Sequence, residues 1–231
     1  MTLTKRKLKK IIKEEVAKQY SFQKPFGPEY KNKKFNFEKF MNLATAKERL
    51  DYAAKTSEKL GFGSSRVTYK LSGTGKVLKI AVNLAGVEQN KAELQITKEV
   101  SDLQSNYMIV TKIFGHDNIS NPTLLIAEEV FKITVNDFKK NTGLQWNKFL
   151  DYLDDEHPEH KIFVKYPNNE FLLSVNEALT ETSLISNDLT RIDHWGITED
   201  NRIVILDYGY NEHVDNIYND LDPNNKFFFR I

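Results

Sequence analysis

Two acids and one lysine in this chain are placed to do chemistry: Asp188, Asp207 and Lys79. Asp207 follows the β-branched run Arg202 to Leu206, so a strand would hold its carboxylate on rigid backbone. Gly209, two residues on, allows a sharp turn. Asp188 lies about twenty residues earlier, before Leu189, and Gly196-Ile197 leads into a turn of Thr198 to Asn201. The stretch Ser186 to Gly209 therefore reads as a loop feeding a two-stranded hairpin, with an acid at each mouth. Carboxylates brought together in this way suit Mg²⁺ and a polyphosphate. Lys79 sits in the apolar run Val77-Leu78-Lys79-Ile80-Ala81, where a buried ammonium is costly without an anion beside it. The plainer alternative is an edge strand with the Lys79 side chain in water.

These groups need elements to hold them. Phe35 to Leu60 reads as helix with a break and a cap at Thr45, its apolar positions including Phe37, Phe40, Leu43, Leu50, Tyr52 and Ala53. From Leu60 the pattern turns to β, with Val67, Tyr69 and Leu71 alternating before a turn at Ser72 to Gly75 and the strand that contains Lys79. Gly73-Thr74-Gly75-Lys76 hints at a phosphate loop, but Lys70 stands where that motif needs its first Gly, and Val77 where it needs Ser or Thr. It is a hairpin turn. Ala85 to Leu103 reads as helix, and Tyr107 to Phe114 and Thr123 to Val130 as strands. Thr134 to Glu156 reads as one or two helices, with Trp146 in the core, and Asn169 to Thr182 as another helix. His157-Pro158-Glu159-His160 reads as a solvated turn, because proline between the histidines spoils a metal pair.

Five features in this order resemble the protein-kinase-like fold. Gly61-Phe62-Gly63-Ser64-Ser65-Arg66-Val67 resembles its Gly-rich loop, with Arg66 in place of the third glycine as a side-chain donor. Lys79 matches the strand lysine that contacts the α- and β-phosphates, with Glu93 as its helix partner and Glu88 as second choice. Glu128-Glu129-Val130-Phe131 resembles the hinge whose backbone hydrogen-bonds adenine; Glu129 is the residue named for it. Asp188-Leu189 and Asp207-Tyr208-Gly209 resemble the catalytic loop and the DFG segment, with Tyr for Phe. The fold implied is α+β and two-lobed: an antiparallel-sheet N-lobe within 35–131, a reduced helical C-lobe within 132–231, and a basic helical arm and linker over 1–34. The resemblance implies ATP and Mg²⁺ as cofactors, with Asp188 as base, Lys79 on the phosphates and Asp207 on the metal. The second metal position, usually Asn, falls on Asp193 counted from Asp188 and on His194 counted from Asp207. After Gly209 only 22 residues follow, too few for the activation segment and peptide platform of a regular kinase.

Composition narrows the rest. The chain has 231 residues, 40% apolar and 12% aromatic, which fits a globular protein with one sizeable core. Without cysteine, disulfides, thiolate catalysis and Cys-based zinc sites are excluded. No apolar run is long enough to cross a bilayer, so no membrane partner is expected. The net charge of +1 hides an asymmetry: residues 1–34 hold eleven Lys/Arg against three Glu, which leaves the remainder acidic. Thr4 to Gln19 reads as a lysine-rich amphipathic helix with Leu8, Ile11, Ile12 and Val16 on one face. It is similar to leading segments of proteins from large tailed bacteriophages, which implies a protein partner or assembly scaffold through residues 1–20, in the infected cell's cytoplasm or the virion. Two functions follow from these readings: a minimal ATP-dependent phosphotransferase, or a non-catalytic kinase-like virion or host-binding module. Nucleic-acid binding ranks last, since no aromatic platform or helix-turn-helix pattern accompanies the basic arm.

Overall fold

Alternating apolar positions in the Lys79 region become a five-stranded antiparallel sheet in the computed structural model, which describes residues 35–103, 107–154, 166, 168–209, 214 and 216–217. Its strands are β1 (Glu58–Phe62), β2 (Arg66–Leu71), β3 (Lys76–Ala81), β4 (Ile113–His116) and β5 (Leu124–Glu128), in the order β1-β2-β3-β5-β4. Lys79 is thus on the central strand, and the edge-strand alternative falls away. The Gly73 to Gly75 segment is the tight β2–β3 turn, both glycines having positive φ.

Side chains alternate across the sheet, and the two faces have different roles. Val67, Tyr69, Leu71, Leu78, Ile80, Leu124 and Ile126 pack with Phe35, Phe40 and Ala53 in one apolar cluster. Its lid is α1 (Phe37–Met41) and α2 (Ala46–Thr56), separated at the break expected in the sequence. Thr45 caps α2 in a reciprocal box with Glu48. The other face carries Arg66 and Lys79. Against it lies α3 (Leu84–Ser101), whose Gly86 comes so near the Ser65 carbonyl that a Cβ there would sit 2.2 Å away.

The expected strand over Tyr107 to Phe114 forms only at its end, from Ile113. Ile109 and Val110 are fully buried apolar residues, and they leave the sheet to pack in the second cluster. There Ile205 N–H donates to the Ile109 carbonyl at 2.8 Å, and Val110 forms a single parallel bridge with Ile205. That cluster is built on α4 (Val135–Thr142), α5 (Trp146–Leu153) and α6 (Glu170–Glu181), and on a three-stranded sheet. The small sheet pairs β6 (Phe131–Lys132), β7 (Trp195–Ile197) and β8 (Ile203–Ile205) in that order. Phe138, Phe149, Phe171 and Trp195 fill its centre, with Trp146 edge-on to Phe138 at 4.9 Å. The cluster also takes in Ile96, Val100, Ile109 and Val110 from the 35–131 segment.

The hairpin expected around Thr198 to Asn201 is β7–β8, with Asn201 in the left-handed region at φ 64°. The strand β6 had no sequence signal: two residues are too few for periodicity. Gly196 makes the pairing possible, because a Cβ there would meet Leu206 Cδ2 at 2.9 Å and the Phe131 carbonyl at 3.0 Å. Among the described residues, no helix is long and apolar enough to cross a membrane. The arm and linker of 1–34 and the His157 to His160 turn lie outside the described residues.

Candidate functional site

Helix α3 presents Gln89, Asn90 and Glu93 at helical spacing, all buried and all polar, to the sheet face that carries Arg66 and Lys79. Lys79 Nζ donates to Glu93 Oε1 at 2.9 Å, to Glu93 Oε2 at 2.8 Å and to the Leu206 carbonyl at 2.9 Å. Glu93 has no solvent exposure, so it is the strand lysine's partner. Glu88, the second choice, pairs with Lys91 instead, at 2.6 Å.

Arg66 is not a donor at the tip of the glycine loop. As the first residue of β2 it points under the sheet, and its guanidinium bridges two acids. Nη1 lies 2.6 Å from Glu93 Oε1 and 3.4 Å from Asn90 Oδ1, and Nη2 lies 2.6 Å from Asp207 Oδ1. Asn90 is fixed in turn by donating to the Pro122 carbonyl at 2.9 Å. Lys79, Glu93, Arg66 and Asp207 thus form one continuous ionic network between sheet, helix and the end of β8. The Lys79 side chain is 10% exposed and that of Arg66 9%, whereas Asp207 keeps 53%. The network therefore opens to solvent at Asp207. Protein flanking Asp207 pushes its carboxyl up, but the charges of Arg66, Lys79 and His194 outweigh that and hold it below its ordinary value.

The residues after Asp207 anchor it. Tyr208 is fully buried; its hydroxyl lies 2.7 Å from Thr97 Oγ1 and donates to the Thr111 carbonyl at 3.1 Å. Burial and the nearby Glu93 charge push the phenol's pKa well up, so it stays protonated. Gly209 is required for a reason other than a turn: a Cβ there would lie 2.5 Å from the Gln89 carbonyl and 3.0 Å from Glu93 Cγ. Only glycine lets this segment run against α3.

The other expected site residues are distributed around this network. Gly61 belongs to β1, and a Cβ there would touch nothing within 4 Å; Gly63 donates to the Arg66 carbonyl at 2.9 Å in the β1–β2 turn. Beyond them, Ser65 Oγ donates to Gln89 Oε1 at 2.5 Å, and Asn83 Nδ2 to the Ser64 carbonyl at 2.9 Å, so the loop is pinned at its β2 end. Glu129 spends its N–H on the Gly75 carbonyl at 2.8 Å and its carboxylate on Lys70. Asp188 lies on the 3-10 turn Ser186–Leu189, next to the buried Leu189, whose carbonyl accepts from Trp195 Nε1 at 2.9 Å. Its side chain lies outside the described residues. Asp193 is exposed and ion-paired with Arg191 at 2.7 Å, a bond that lowers its pKa.

No family model matches the chain, and no curated protein does. Among solved structures, the 2.2 Å crystal structure of WbdD is similar at 16% identity and a TM-score of 0.34, over 63% of this chain and 30% of that one. The chain spans under a third of the length of that protein.

Whether the donors fit Mg²⁺ is decided by what they already hold. The ion takes oxygen ligands in near-octahedral array. Asp207 and Asp193, the carboxylates expected to supply them, are each bound to an arginine. Among the described residues no group of three acids or histidines is placed to hold a metal. Among the described residues, which leave out the Asp188 side chain, no ligand set for the ion is assembled. Sequence reasoning missed the Arg66 bridge, the Asn90 brace and the Tyr208 anchor. A signal existed for one of them: Gln89, Asn90 and Glu93 make a polar stripe on a helix face that should be apolar.

Proposed function

We propose that the chain is a kinase-like nucleotide-binding protein, taking the polyphosphate of an ATP-class ligand at the seam between the five-stranded sheet and the β7–β8 hairpin. The observation that carries this reading is Lys79, buried on the central strand, held by Glu93 and directed at the residue before Asp207. A buried ammonium fixed beside a solvent-open acid is a ready phosphate contact. The order of sheet, helix, hinge, helical half and hairpin supports the same reading.

One observation favours the non-catalytic form over phosphotransfer: both carboxylates expected to bind metal are already paired with arginines. A thermal shift with millimolar ATP tests the binding, since a ligand selective for the folded state raises its melting temperature. The shift is expected in the wild type and absent in Lys79→Met. Absence of any shift in the wild type would sink the nucleotide reading. A labelled-phosphate transfer assay separates turnover from binding, and no transfer is the expected result.

A further inference from the structure

We infer that Arg66 stands in for the divalent cation at this site, so that the cleft binds a nucleotide polyphosphate without metal. The inference rests on the nucleotide reading above and deepens it. Arg66 is 8% exposed, braced by Asn90, and joined to Glu93 and Asp207 at 2.6 Å each. Guanidinium keeps its charge at any relevant pH, and its planar fork is well matched to carboxylates and phosphates.

A metal would have to share Asp207 with this group. Mg²⁺ on the oxygen that Arg66 holds would lie at most about 5 Å from the guanidinium nitrogen, with like charges facing each other. Were Arg66 to withdraw, Asp207 would lose its hydrogen-bonded cation and the buried Glu93 would keep Lys79 alone. Among the described residues the other expected ligand, Asp193, is turned to Arg191. Lys79 and Arg66 are two fixed positive charges that act on the open Asp207 carboxylate, with Glu93 buried behind them.

The experiment is ATP binding to the full chain by calorimetry, in EDTA and in excess Mg²⁺, for the wild type and for Arg66→Gln. The wild type is expected to bind equally in both media. Arg66→Gln should lose about tenfold or more in EDTA and recover with Mg²⁺, because Asp207 is then released to the ion. A wild type that binds only with Mg²⁺, or about tenfold tighter with it, overturns this inference and leaves the nucleotide reading standing. A wild type that binds in neither medium overturns both. Should Arg66→Gln fail to fold, the wild type decides alone: binding as tight in EDTA as in Mg²⁺ supports the inference, and binding about tenfold tighter with Mg²⁺ overturns it.

Discussion

Arg202 Nη2 lies 2.6 Å from Glu128 Oε1, which ties the start of β8 to the end of β5. The same guanidinium holds Asp200 Oδ2 at 3.0 Å and donates to the Met108 carbonyl at 3.3 Å. Both partners of the first pair are mostly buried, at 16% and 14% exposure. It is therefore a strut between the large sheet and the hairpin, placed where the chain crosses from one to the other. Truncation of one partner leaves the other charge poorly paired. Arg202→Met is expected to destabilise the fold toward the low end of about 3–5 kcal/mol. Adding Glu128→Leu should recover a large part of that, because an apolar pair of similar volume costs little. Urea midpoints of the two single variants and the double variant check both statements.

Glu93 and Lys79 are not equivalent members of their pair. Glu93 accepts from Lys79 and Arg66 together, whereas loss of Lys79 leaves Glu93 still bonded to Arg66. Glu93→Ala should therefore cost about 3–5 kcal/mol, since it leaves the buried Lys79 without a bonded carboxylate and Arg66 with Asp207 alone, and Lys79→Met distinctly less. Thermal melts of the two variants give the order. Equal losses would mean that Arg66 does not hold Glu93 in solution.

How far the sequence reached is clearest at these residues. Lys79 and Glu93 were legible because each is a charge in an apolar pattern, and a buried charge needs a partner. The sheet and helices were legible for the same kind of reason: Val67, Tyr69 and Leu71 alternate, and Thr45 with Glu48 spells a capping box. Arg66 reads as a departure in a glycine loop, and the alternation of Val67, Tyr69 and Leu71 puts it on the opposite face of β2; its partners there, Glu93 and Asp207, are 27 and 141 residues away and leave no local pattern. Within Tyr107 to Phe114 the run up to Val110 has the pattern of a strand, because a short apolar stretch looks alike in a sheet and in a core. Gly209 has the look of a turn residue, although close approach to α3 is what demands it. A contact between residues this distant in sequence leaves no local mark.

The open end of the network makes stability depend on acid. The Asp207 carboxyl is held below its ordinary value of 3.8 in the folded chain. A carboxyl with a depressed folded pKa adds stability that is present above its unfolded value and is lost as pH falls through the folded one. Between pH 6 and 5 Asp207 should contribute a constant amount, and below about pH 4 that contribution should fade. Asp207→Asn removes the charge at every pH. The gap in urea midpoint between wild type and Asp207→Asn should therefore narrow on acidification. A gap unchanged down to pH 3 would show that Arg66 and Lys79 do not act on this carboxyl.

Tyr208 offers a test of whether the segment after β8 is fixed by packing alone. A phenylalanine ring of the same shape would fill the same space. Here the hydroxyl is wholly buried, lies 2.7 Å from Thr97 Oγ1 and 3.3 Å from Thr111 Oγ1, and donates to the Thr111 carbonyl at 3.1 Å. Tyr208→Phe deletes one group and leaves buried oxygens on α3 and on the segment before β4 without it. Such a loss costs about 1–3 kcal/mol, so the variant should be less stable although the ring is kept. Pairing it with Thr97→Val should add less than the two single losses combined, because both remove the same bond. Denaturant midpoints for the three variants decide, and full additivity would place the Tyr208 hydroxyl somewhere other than against α3.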